Sequence, residues 1–179
     1  MKNYFVLYKP FLLFLSKFFL AYLVLTILYQ GYLGKTDDTI DGITENVAYL
    51  TEKSANFIGV NISTDEDYMH YNIIYHDKIV AHIIEGCNAV SVIILFIAFV
   101  VAFSGSLKPT LLFIFGGSLL IYALNIARIV MLSVLMYHFP EKEHILHGVV
   151  FPLIIYGAVF ILWVIWVNKF SKYASKRTS

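Results

Sequence analysis

Four apolar runs, each to be measured against the thickness of a bilayer, constrain this chain more than any motif in it. A hydrocarbon core of about 30 Å is crossed by about 20 helical residues. The runs cover about 11–33, with "FFLAYLVLTILY" at its heart, then 88–104, 109–138 and 147–168. Composition points the same way, with 59% of residues hydrophobic and 14% charged, against about 25% charged in soluble domains. The sequence therefore predicts an all-α integral membrane protein. Its 179 residues form one domain, a four-helix transmembrane bundle with a small helix and β-hairpin insertion over 34–86.

Charge placement orients the bundle. All 12 acidic residues lie between Asp37 and Glu85 or at Glu141 and Glu143, whereas Lys2, Lys9, Lys108, Lys169, Lys172, Lys176 and Arg177 fall on the other side. Positive charge favours the cytoplasmic face, so both termini and the "SGSLK" turn are expected there, with 34–86 outside. The first run is too long for a signal-peptide core and lacks a small-x-small cleavage site, so it reads as an uncleaved anchor. Trp163 and Trp166 near the end of the last run fit an interfacial aromatic belt.

In the outer segment, Ile43, Val47, Leu50, Phe57 and Ile58 recur at roughly helical spacing and predict an amphipathic helix. The stretch "YNIIYHDKIVAHIIEG" predicts two short strands around a His76-Asp77-Lys78 turn, leading directly to Cys87. Cys87 is the only cysteine, which excludes an intrachain disulfide.

Depth can be counted. Pro109, suited to a first helical turn, is 19 residues before Arg128, or about 28 Å at 1.5 Å per residue. From Cys87 to Ser104 is 17 residues, or about 26 Å on the same rise. His147 opens the last run from the same side. Three helices thus bring a thiol, a guanidinium and an imidazole to one membrane level. A charge within a membrane faces a bundle interior or a polar cavity, or reaches for the headgroups.

These residue types make joint chemical sense. A nucleophilic cysteine reacts as its thiolate, which a helix N-terminus, a nearby Arg or an imidazolium favours. Cys87 is expected at a helix N-terminus, His147 can move the proton, and Arg128 can stabilise a thiolate or an oxyanion. Asn125 shares a face with Arg128 one turn on. Glu85 can orient a base or bind substrate, and His144, three residues before His147, is the rival base.

"EGCNA", "NIAR" and "HGVVF", in that order and at those depths, resemble the Cys, Arg and His signature of the exosortase/archaeosortase family, and the small size and layout are similar to its short XrtF type. The likeness covers roughly 70–168. Family members often carry Ser or Asn and then Gly after the cysteine; here Asn88 is followed by Ala89. The resemblance implies a membrane-embedded cysteine transpeptidase of a bacterial cytoplasmic membrane, acting on proteins with a C-terminal sorting signal and transmembrane anchor. It makes Cys87 the nucleophile, Arg128 the electrostatic stabiliser and His147 the proton-transfer residue, with Glu85, Asn88, Asn125 and His144 in supporting or substrate-binding positions. No cofactor or metal is required, no nucleic acid is involved, and a small membrane partner protein is compatible with the short chain. The reading from another class is a non-catalytic membrane scaffold that binds a partner through its outer loop.

Overall fold

The apolar runs do form helices, although not four of equal reach. The structure is a computed structural model that describes residues 2–35, 39–103 and 105–171. Helix α1 is Lys2–Leu33, α2 is Gly42–Phe57, α3 is Val90–Ala102 and α4 is Leu107–His138. A final helical span covers Pro140–Phe170. Strands β1 (Ile62–Asp67), β2 (His70–Tyr75) and β3 (Lys78–Ile83) lie between α2 and α3. The expected helix end at Ser104, the acidic Asp37 and Asp38, and the basic Lys172, Lys176 and Arg177 lie outside the described residues.

Among the described residues three stretches are long and apolar enough to cross a membrane: Tyr8–Leu33, Leu107–His138 and Pro140–Phe170. The fourth apolar helix, α3, is shorter than these, so four spans of even length are not established. The run expected over 88–104 is a 13-residue helix, about 20 Å at the usual rise, short of a 30 Å core. Ala89, with φ 64°, breaks the chain ahead of Val90, and Asn88 and Ala89 therefore stay outside α3. The third span begins at Leu107, ahead of Pro109, and the last begins at Pro140, ahead of His147.

Helix α4 runs unbroken for 32 residues, about 48 Å. Its excess length is covered by the insertion: Ile129 and Val130 pack with Val47, Ala48 and Ala55 of α2 and with Ile62, Ile73 and Ile83 of the sheet. Gly117 on α4 admits the fully buried Phe96 ring of α3, since a Cβ there would lie 2.3 Å from Phe96 Cζ. Small residues at such crossings let helices approach closely. Helix α1 packs chiefly along α3, with Phe14 against Phe99 and Phe103.

The insertion is more ordered than a hairpin. Its strands form an antiparallel meander, β1-β2-β3. The β2–β3 turn is tight, with His76 and Asp77 both at positive φ (50° and 58°) between the paired Tyr75 and Lys78, the geometry that matches strand twist. Polar β1 is held from α2: the Glu52 carboxylate accepts the Thr64 N–H and hydroxyl at 2.9 and 2.7 Å, and Asn56 Nδ2 donates to Ile62 O at 3.0 Å. Helix α2 buries Thr44, Val47, Ala48, Thr51 and Ala55, a stripe rotated from the expected one. Only Val47 is common to both, and Phe57 is 92% exposed. Small Thr and Ala side chains permit the close contact with α4 that larger ones would prevent.

At the opposite end of the chain the two tryptophans pack against the α3–α4 connection and α3. Trp166 is fully buried, and its indole N–H donates to Phe103 O at 3.1 Å. The chain passes it at Gly105, where a Cβ would lie 2.9 Å from the indole. Trp163 stacks on Phe99 at 4.2 Å. Trp166 therefore pins the α3–α4 connection.

Candidate active site

The thiol's position follows from the end of the sheet. After β3, the chain makes a tight 3-10 turn over Glu85–Cys87, closed by Cys87 N–H donating to Ile84 O at 2.8 Å. Cys87 is a free, half-buried thiol in that turn. It therefore sits three residues ahead of α3, not on the first turn of that helix, as the sequence had suggested, and the axial dipole of α3 acts on it only weakly.

Two sets of hydrogen bonds fix the turn. From α4, Asn125 Nδ2 donates to Cys87 O at 2.6 Å. From the other side, Asn88 is buried and occupied at every end: Nδ2 donates to Tyr29 Oη at 2.7 Å and to Thr44 Oγ1 at 3.2 Å, while Oδ1 accepts the Val90 N–H at 3.1 Å. Thr44 donates in turn to the buried Asp41, whose carboxylate also caps α2 through the N–H groups of Ile43 and Thr44. Helices α1, α2 and α4 thus each hold part of the backbone beside the thiol. Such a cap is worth about 0.5–2 kcal/mol to its helix.

The turn opens on a cavity of about 500 Å³, within the usual range for small-molecule and substrate sites. Cys87, Asn125, Arg128 and His147 all line it, together with Glu143, the residues Ile79 to Ile84, and Leu132 and Met136 of α4. The cavity therefore unites a thiol, a guanidinium and an imidazole from three separate parts of the chain. Glu85, Asn88 and His144 are not among its lining residues. Glu85 is half-buried in the turn, Asn88 serves the backbone network, and His144 is exposed.

Arg128 Nε is buried and has no hydrogen-bond partner among the described residues, and no acidic side chain there forms an ion pair with Arg128. A half-buried cation without a counter-ion leaves capacity for an incoming anion. His147 stands in a π-helical segment, Leu146–Val150, in which Phe151 N–H reaches back to Leu146 O. Pro152 follows at once and has no N–H to give the turn above. Wide turns of this kind recur at functional sites.

Two cavity residues were not singled out from the sequence. Glu143 is four residues before His147, a spacing that places two side chains on one helical face, and that was its available signal. His82 reaches the cavity from β3, with its Nδ1 2.8 Å from Asn72 Oδ1. Nothing local in the sequence marks it.

Fold and site together define a class: a mostly helical membrane protein whose one thiol shares a cavity with a histidine and with an arginine that no described residue compensates. The family model for the transmembrane exosortase (Exosortase_EpsH) matches residues 5–167, and the chain belongs to that family. No curated protein and no solved structure matches it.

Proposed function

We propose that this exosortase-family protein is a cysteine transpeptidase that cleaves C-terminal sorting signals beside the substrate's transmembrane anchor. The observation that carries the reading is the shared cavity: Cys87, Arg128 and His147 come from different elements yet line one space, and Arg128 Nε has no partner among the described residues. The short XrtF type is the subtype that its size fits. With the short α3 counted as a fourth crossing, the charge pattern supports a bacterial inner-membrane placement with both termini cytoplasmic and the cavity on the outer side. The acidic insertion and the cavity then share that side.

In this mechanism His147 takes the Cys87 proton as Sγ attacks the scissile carbonyl carbon. Charge gathers on the carbonyl oxygen, and the Arg128 guanidinium stabilises it. The C–N bond then breaks, the departing amine takes the proton from His147, and the anchor leaves with that amine while the acyl half remains as a thioester on Cys87. An outer-surface amine or hydroxyl attacks the thioester, gives its proton to His147, and releases the Cys87 thiolate for reprotonation. Glu143, which lines the cavity four residues before His147, is a second candidate beside Glu85 to orient the imidazole.

The decisive experiment is to trap the thioester on Cys87 and identify the attached acyl chain by mass spectrometry, with Cys87→Ala as the blank. A protein chain ending just before an apolar span is the expected adduct. Normal processing by Cys87→Ala would instead favour the scaffold.

A further inference from the structure

Side chains along a strand alternate between its faces, so a cavity against one face meets every second residue. The wall beside Cys87 is different. A β-bulge interrupts the β2–β3 register between Ile73 and Ile74, opposite Val80, yet beyond it Ala81, His82, Ile83 and Ile84 line the cavity without a gap. Ile73 of β2 lines it too, so the cavity covers one face of the sheet and wraps around the β3 edge, where main-chain N–H and C=O groups are presented. β3 is such an edge, paired with β2 alone, and no hydrogen bond from outside the sheet reaches residues 79–83 among the described residues.

The sequence treats the sheet's two edges unequally. β1 carries Asp65, Glu66 and Asp67 in succession, like charges of the kind that deter an added strand. β3 has Lys78 at its start and then "IVAHI", with neither proline nor a permanent charge. Ile79 and Ile84 are 58% and 51% exposed. This unguarded edge ends in the Glu85–Cys87 turn, and the opposing wall holds Arg128 and His147.

We propose that β3 is the substrate-docking edge: the extended segment on the acyl side of the scissile bond adds to the sheet as a fourth strand. This deepens the transpeptidase reading and rests on it. β3 has 6 residues, about 20 Å at strand rise, so the paired segment is about four to six residues long. Main-chain bonds give affinity without demanding a sequence, and the apolar wall of Ile79, Leu132 and Met136 reads alternate side chains. The substrate class is accordingly an extended, uncharged peptide immediately before a membrane anchor. Pairing brings its last carbonyl to Cys87 because the strand leads there.

The test uses the full-length protein in its membrane. A photoreactive benzoylphenylalanine replaces Ile79 in the Cys87→Ala background, which holds uncleaved substrate, and Glu66 on β1 is replaced likewise as a control. Capture from position 79 should exceed that from position 66 by about tenfold, equivalent to about 1.4 kcal/mol of binding. The captured residue should lie within about six residues before an apolar C-terminal span, the length that β3 can pair. Equal capture at both positions, or adducts only with lipid or with this chain, overturns the proposal. Ile79→Lys adds a guarding charge at an exposed position without straining the fold, and should cut processing about tenfold while Glu66→Lys does not. Unchanged processing by Ile79→Lys also overturns it. The two readings fail separately: normal processing by Cys87→Ala removes the thiol chemistry and leaves docking standing, whereas an inert Cys87→Ala beside an active Ile79→Lys removes docking alone.

Discussion

The side-chain amide of Asn125 donates a 2.6 Å hydrogen bond to the main-chain carbonyl of Cys87, tying the middle of α4 to the turn that carries the thiol. Asn125 is 3% exposed, so removing it leaves that carbonyl without its donor in a poorly hydrated place, a cost of about 1–3 kcal/mol. Asn125→Ala should lower the melting temperature in detergent and slow substrate processing. Asn125→Asp should be worse, because a carboxylate would face the carbonyl. Alkylation of Cys87 by a small reagent checks the positional part: its rate should change in Asn125→Ala, and an unchanged rate with full processing would remove Asn125 from the site.

Arg128 separates function from stability. Its Nε is buried without a partner among the described residues, none of which forms an ion pair with it, so the native fold carries the desolvation cost of a cation and gains no ion pair from them in return. Arg128→Met should therefore unfold no more easily than the parent, and its melting temperature should hold or rise. Processing should fall by about 10²–10³, the usual loss when one oxyanion donor is removed. Arg128→Lys keeps the charge but not the planar fork, and should recover only part of the activity. Equal losses of stability and processing in Arg128→Met would make the guanidinium structural.

How much of this arrangement could be read from the chain depends on the range of the forces involved. Residue counts along helices predict one level for Cys87, Arg128 and His147 because helical rise is nearly constant; the three do line one cavity, although Cys87 lies in the turn ahead of α3 and not on the helix that the count assumed. The His76-Asp77 turn was legible because its residue types fit a tight hairpin. β1 was not, since "ISTDED" has no apolar alternation and is held by Glu52 and Asn56 from a helix before it in sequence. Likewise, periodicity alone put Phe57 and Ile58 on the buried stripe of α2, while packing against α4 selects Ala48 and Ala55 and the hydrogen bonds to Asp41 and Asn88 bury Thr44. His82 enters the site through strand pairing, which no local window reports. The short reach of α3 was hidden because Asn88 and Ala89 belong to the apolar run by composition but are held outside the helix by backbone conformation.

That conformation yields its own prediction. Ala89 has φ 64° and is 7% exposed, in a left-handed region that costs a non-glycine residue about 1–2 kcal/mol. Ala89→Gly relieves this and loses one buried methyl, worth about 0.8 kcal/mol, so it should be close to neutral in stability. Ala89→Val places a β-branched side chain where it is a steric outlier, and should destabilise the protein and disturb the Cys87 turn. Thermal unfolding together with thiol alkylation distinguishes the pair: the Gly variant should behave like the parent in both, and the Val variant in neither.

The adjacent glycines of α4 offer an internally controlled test of how the short helix is held. A Cβ at Gly117 would meet the Phe96 ring at 2.3 and 2.6 Å, whereas one at Gly116 meets nothing within 4 Å. Phe96 is fully buried in a cluster with Val100, Ile121 and Val159, so its ring has little room to retreat. Gly117→Ala should cost about 1–3 kcal/mol, the usual range for overpacking. Gly116→Ala should instead be neutral or slightly stabilising, because alanine favours the helix by about 1 kcal/mol over glycine. Since α3 follows directly from the thiol's turn, the displacement in Gly117→Ala should also reach Cys87 and slow processing. A compensating Phe96→Leu, smaller at the point of contact, should restore part of both losses in the double variant. Additive losses in that variant would show that Gly117 and Phe96 do not share the contact on which the packing of α3 against α4 depends.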